Sequence, residues 1–141
     1  MTTIVYKDGI IAYDSFATSD GIIVEHNFNK KRTANGVHFF FCGSVSDIDT
    51  LILGYFGEQI DNSASAASLV VDGGSVYVTG IDTERGVWIE KLDPKHVRAI
   101  GSGADFALTA MDMGADAKTA VKMAAYRDMA TGGKIKTFRV F

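Results

Sequence analysis

Short apolar segments separated by turn residues fill the first third of the chain, and they read as strands. Thr3 to Tyr6 and Ile10 to Tyr13 flank Lys7-Asp8-Gly9, a hairpin signal. Ile22 to Glu25 and a segment near Phe28 to Thr33 follow, then the turn Ala34-Asn35-Gly36. Val37 to Cys42 is apolar or aromatic at nearly every position, the pattern of a strand buried on both faces. That predicts two stacked sheets, or a sheet covered by helices.

The pattern then changes. Ser46 to Phe56 is a helix candidate, with Ser44 or Ser46 as its N-cap. Leu69 to Val71 and Ser75 to Val78 bracket Asp72-Gly73-Gly74, another hairpin. Gly86 to Lys91 and Val97 to Ile100 are further strands. Ala104 to Met113 and Asp116 to Ala130 read as helices, the first closed by Gly114 and the second capped by Asp116. Lys134 to Phe141 alternates and supplies a last strand. The order predicts an α+β fold of antiparallel sheets with helices packed outside. No repeat or linker divides the 141 residues, so one domain is expected over 1–141.

Composition narrows the function classes. A hydrophobic share of 47% is enough for a real core, and a net charge of -3 leaves no basic footprint for nucleic acid. His26, His38 and His96 lack metal-ligand spacing, so no metal or other cofactor is expected. The single cysteine, Cys42, excludes an intrachain disulfide and suits a reducing cytosol. The first residues show no basic-then-apolar signal pattern, and no apolar run reaches membrane-span length. A cytoplasmic protein without membrane contact is expected, or one in a host cytoplasm if the source is viral.

A few residues sit oddly. Ala117, Val121 and Ala124 form an apolar helical stripe, and Asp128 continues it. Either Asp128 has a buried partner, because an unpaired buried charge is costly, or it ends the helix and reaches water. Asp14 shares a strand face with Ile10 and Ala12, or marks the strand end. Lys30 and Lys31 read by themselves as a solvated pair. Gly101-Ser102-Gly103 lacks the third glycine of a dinucleotide fingerprint. Cys42, beside Phe39-Phe40-Phe41, reads as a packed core thiol.

In order, these features resemble the proteasome β-subunit and HslV-type peptidases, which are N-terminal-nucleophile hydrolases. Met1-Thr2-Thr3-Ile4-Val5 looks like the mature start of such an enzyme with one methionine attached. Ala12-Tyr13-Asp14-Ser15-Phe16-Ala17-Thr18 is similar to the family's aspartate segment, and Lys30 follows at the family's spacing. Phe41-Cys42-Gly43-Ser44, with Asp47 after it, resembles the strand-to-helix turn. Ala99-Ile100-Gly101-Ser102-Gly103 and Arg127-Asp128-Met129-Ala130-Thr131-Gly132-Gly133 match two late motifs.

The resemblance implies a four-layer α-β-β-α sandwich with two antiparallel sheets. It also implies a threonine peptidase whose nucleophile is Thr2 after loss of Met1. The α-amine of Thr2, with a pKa of about 8, would be the general base. Lys30 would place positive charge beside Thr2, and Asp14 would hold Lys30. Ser102, Asp128 and Thr131 would hydrogen-bond around the amine. The Gly43 N–H would stabilise the oxyanion, a contact typically worth about 2.7–4 kcal/mol of barrier. Ala17, Phe28, Phe41 and Val45 match the first specificity pocket and suggest cleavage after large apolar residues. Peptides or unfolded proteins are the implied substrates. A homo-oligomeric ring and an ATPase partner are the implied assembly.

The chain departs from the pattern in three places. Gly57 to Ser68 is too short for the family's long second helix, which makes the chain similar to reduced proteasome-like proteins of phages and some bacteria. Phe16 stands where a basic residue is common. Lys31 and Arg32 follow Lys30 directly, so a one-residue slip would present the other lysine. The alternative reading is a catalytically inactive assembly or binding protein that keeps Met1.

Overall fold

The computed structural model describes residues 2–60 and 63–141. Met1, whose removal the resemblance requires, lies outside the described residues. The first hairpin joins β1 (Ile4–Lys7) to β2 (Ile10–Tyr13), and a second joins β3 (Ala17–Ser19) to β4 (Ile22–Glu25). β5 (Lys31–Ala34) turns into β6 (Val37–Gly43), which leads into α1 (Val45–Tyr55). β7 (Ala66–Asp72), β8 (Ser75–Asp82), β9 (Gly86–Lys91) and β10 (Arg98–Ile100) follow. α2 (Ala104–Asp112), α3 (Ala117–Arg127) and β11 (Lys136–Arg139) complete the chain.

Four hairpins turn on the same device. Asp8-Gly9, Asp20-Gly21, Asn35-Gly36 and Gly73-Gly74 each place two successive residues at positive φ, between 49° and 79°. That is the type I′ turn, whose twist matches the flanking strands and which glycine, asparagine and aspartate tolerate. Asp20-Gly21 carried the same signal in the sequence, and it marks the β3–β4 ribbon that periodicity alone did not reveal.

The strands form a four-stranded sheet in the order β10-β1-β2-β11 and a five-stranded sheet in the order β5-β6-β7-β8-β9. Every pairing in both is antiparallel. The fold class is therefore α+β with antiparallel sheets. Three apolar clusters hold it together. Ile4, Tyr6, Ile11 and Tyr13 of the smaller sheet pack with Phe40, Leu69, Val71, Val76 and Val78 of the larger. The alternate residues Val5 and Ala12 pack instead with Ala107 and Met111 of α2 and Ala117, Ala120, Val121 and Ala124 of α3. On the larger sheet, Phe39, Phe41, Val70 and Ile81 pack with Ile48, Leu51 and Ile52 of α1. The period-two alternation of each strand thus feeds two different cores. β6 needs apolar residues at successive positions for this reason.

Element boundaries differ from the pattern-based expectation in places that matter. α3 stops at Arg127, not Ala130; Asp128 is its C-cap with extended backbone at φ −94°, ψ 111°. β5 begins at Lys31, leaving Lys30 just before it. Among the described residues no helix lies between α1 and β7. Ser44, not Ser46, caps α1 by accepting the Asp47 N–H at 3.3 Å.

Candidate active site

The site forms where the start of β1 meets the end of β2. Pairing of Ile4 with Tyr13 sets Thr3 against Asp14. The Asp14 N–H donates to the Thr3 carbonyl at 3.3 Å, and the Thr3 N–H donates to Asp14 Oδ1 at 3.1 Å. Oδ2 accepts from the Gly132 N–H at 3.0 Å and the Phe16 N–H at 3.4 Å. Asp14 is 0% exposed, so these donors replace the water it has lost. It is neither a solvated strand end nor a member of the apolar face.

Lys30 is 3% exposed. Its Nζ donates to Asp14 Oδ1 at 2.7 Å and to Thr2 Oγ1 at 2.7 Å. Its own carbonyl accepts the Phe41 N–H at 3.0 Å, which extends the β5–β6 ladder by one residue and fixes where its side chain emerges. Lys31, one residue on, lays its ammonium over the Phe138 ring, 4.7 Å from the centroid. The solvated-pair reading therefore fails for Lys30, and the slip to Lys31 does not occur. Burial pushes the Lys30 ammonium below the ordinary lysine value; the charge and hydrogen bond of Asp14 push back without cancelling it.

A second group closes around Thr2 from the other side. Gly101-Ser102-Gly103 wraps its backbone, with the Gly103 N–H donating to the Thr2 carbonyl at 3.3 Å. Gly101 sits at φ 100°, and a Cβ there would strike that carbonyl. Ser102 Oγ accepts the Thr2 N–H at 3.1 Å and donates to Asp128 Oδ2 at 2.6 Å. Thr131 Oγ1 donates to the same oxygen at 2.6 Å, and the Ala130 N–H donates to Oδ1 at 3.1 Å. Burial acts to raise the Asp128 carboxyl, but these three donors outweigh it and hold it below the usual carboxylate range. Asp128 therefore has partners, and it meets them from a helix end.

A cleft of about 660 Å3 opens beside Thr2. Ala17, Phe28, Phe41 and Val45 line it, as do Lys30 and Gly43. Phe28 and Phe41 meet edge to face, with centroids 6.4 Å apart. Gly43 lies at the junction of β6 and α1, next to the N-terminal, positive end of the helix. Cys42 also borders the cleft, but burial raises its thiol pKa and favours the protonated form. Among the described residues no cluster of three histidine, cysteine or acidic side chains could hold a metal.

Phe16, noted in the sequence only for standing where a basic residue is common, forms a wall of the cleft and packs on Gly132 and Gly133. Pattern reading missed other residues. Asp82, Arg85 and Trp88, from the β8–β9 hairpin, line the far end of the cleft. Nothing local in the sequence joins them to Thr2, because the contact spans two sheets. Thr3 is buried at 0%, and strand alternation alone could have flagged its side chain as opposite to that of Thr2.

No family model matches the chain, and no curated protein matches it in sequence. Solved structures do match in shape. The fold is proteasome-like: it superposes on BPH of Thiobacillus denitrificans, a bacterial proteasome homologue, in two structures. The first, BPH in complex with epoxomicin, gives a TM-score of 0.70 at 18% identity, covering 97% of this chain and 96% of that one. The second, BPH by itself, gives 0.65 at 19% identity, covering 97% and 95%.

Proposed function

We propose that this protein is a threonine peptidase in which Thr2, exposed by removal of Met1, is the nucleophile. The observation that carries the reading is the contact of Lys30 Nζ with Thr2 Oγ1 at 2.7 Å, inside a ligand-sized cleft and backed by Asp14. A buried ammonium on a threonine hydroxyl favours the alkoxide and disfavours a second positive charge on a neighbouring amine. That keeps a released Thr2 α-amine neutral and able to accept the hydroxyl proton.

The steps follow from these atoms. The α-amine takes the Thr2 Oγ1 proton, and the oxygen bonds to the substrate carbonyl carbon. The carbonyl oxygen becomes an anion, which the Gly43 N–H receives. The C–N bond then breaks as the α-amine returns the proton to the departing amine, leaving an ester on Thr2. Water, deprotonated by the same amine, attacks that ester and restores the hydroxyl. Ser102, Asp128 and Thr131 orient the amine. The apolar lining from Ala17, Phe28, Phe41 and Val45 supports cleavage after large apolar residues.

The finer features of the reading go with it. The three apolar cores support the four-layer α-β-β-α sandwich. A homo-oligomeric ring, an unfoldase ATPase partner and a cytoplasmic setting are part of the same proposal. Among the described residues no helix is long and apolar enough to cross a membrane.

The test is intact-protein mass before and after incubation with a peptide epoxyketone such as epoxomicin, the compound bound by the structural neighbour. The warhead needs a hydroxyl and an α-amine on one N-terminal residue. Loss of Met1 with an adduct on Thr2 is the expected result. Retention of Met1 with no adduct would replace the peptidase by an inactive assembly or binding protein on the same fold.

A further inference from the structure

Thr2 has a carboxylate on each side, and one residue touches both supporting networks. The Thr3 N–H donates to Asp14 Oδ1, the oxygen that also receives Lys30. The Thr3 hydroxyl lies 2.7 Å from Thr131 Oγ1. Counting protons fixes the direction of that contact. Thr131 has one hydroxyl proton, and it serves Asp128 Oδ2 at 2.6 Å. Thr3 must therefore be the donor to Thr131. Strand alternation makes the arrangement possible, since it turns Thr2 toward Lys30 and Thr3 toward Thr131.

The packing leaves the hydroxyl little room to go elsewhere. Thr3 is 0% and Thr131 3% exposed. A Cβ on Gly103 would strike Thr3 Oγ1 and would approach Thr131 Oγ1 to 3.0 Å. Gly103 is thus small where the two hydroxyls meet.

We infer that Thr3 is a positioning residue that ties the Asp14–Lys30 pair to Asp128, its backbone N–H holding the first and its hydroxyl, through Thr131, the second. This rests on the peptidase reading for its consequence in turnover, but not for the network itself. Without the Thr3 hydroxyl, Thr131 loses the donor that fixes its rotor. Asp128 then loses part of what orients it toward Ser102 and the Thr2 nitrogen.

The test uses the full chain with Thr3→Val and Thr3→Ser, and reads the Asp128 carboxyl carbon by NMR through an acid titration. Thr3→Val keeps the volume and removes the hydroxyl; the Asp128 midpoint should move up toward the ordinary carboxylate value, and Thr3→Ser should return it. With a fluorogenic peptide, Thr3→Val should lower kcat on the order of tenfold or more at nearly constant KM. An Asp128 midpoint unchanged in Thr3→Val would overturn the inference. Should that variant not fold, the native chain decides: slowly exchanging Thr3 and Thr131 hydroxyl protons support the network, and prompt exchange with water refutes it. A native chain that forms no epoxyketone adduct sinks the peptidase reading, while the carboxyl titration still decides the role of Thr3.

Discussion

The ring of Phe16 lies against the α-carbon of Gly132. A methyl group at residue 132 would collide with three carbons of that ring. The contact matters because the Gly132 N–H is one of the donors holding Asp14, so the aromatic wall of the cleft also braces the carboxylate that pairs with Lys30. Gly132→Ala should force the ring to swing and cost about 1–3 kcal/mol, the usual range for overpacking. Adding Phe16→Ala should recover part of that loss. A double-mutant cycle on urea midpoints would show the coupling, and strict additivity would show that the contact carries none.

Asp14 accepts four hydrogen bonds at zero exposure, three from backbone N–H groups and one from Lys30. Asp14→Asn offers an NH2 group where only donors wait, and it strips Lys30 of its counter-ion. Breaking a buried pair in this way costs about 3–5 kcal/mol. Loss of Asp14 lowers the Lys30 pKa further, so the defect should shrink as the pH is raised and Lys30 becomes neutral. Chemical denaturation at neutral pH and near pH 9 measures both effects.

Acid stability follows from Asp128. Its folded pKa lies below the unfolded value of about 3.9, so the folded state binds the proton less readily. The stabilisation is complete above the unfolded value and is lost as pH falls through the folded one. Asp128→Asn should flatten this part of the stability curve and leave its slope above pH 6 unchanged. Thermal melts between pH 2 and 6 would reveal an unaltered acid limb if the carboxylate contributes nothing.

The pH dependence of turnover should be bell-shaped if the proposed chemistry holds. The acid limb reports protonation of the Thr2 α-amine, and the alkaline limb reports loss of the Lys30 proton. Because burial lowers the Lys30 pKa, activity should fall off at a pH below the ordinary lysine value of 10.5. A kcat profile level to that value would separate Lys30 from the alkaline limb.

The cleft makes a prediction about substrates. Filling it from Ala17, a lining residue, with Ala17→Phe should raise KM for peptides with large apolar residues before the cleaved bond. Peptides with alanine there should be affected far less. A fluorogenic panel that shows equal losses for both would place the substrate side chain elsewhere.

The sequence determined the local elements. Periodicity and turn chemistry located the hairpins around Asp8-Gly9, Asn35-Gly36 and Gly73-Gly74, the double-faced strand through Phe39-Phe40-Phe41, and the three helices. These features are encoded in neighbouring residues, which is why they are legible without a fold. Helical and strand periodicity marked Asp128 and Asp14 as oddly placed, while Thr2, Lys30, Ser102 and Thr131 were assigned roles only through their likeness to a family. Tertiary structure alone decided what those residues do to one another. Lys30 rather than Lys31 reaches Thr2 because the Lys30 carbonyl accepts the Phe41 N–H just ahead of β5, which fixes where its side chain emerges. Asp128 turns inward because α3 ends before it and Ser102, from a different loop, is there to meet it. Thr3 and Phe16 gain their roles through contacts with residues 128 and 116 positions away, respectively. Such contacts depend on burial and on the packing of two sheets, and no local pattern of apolar and polar residues records them.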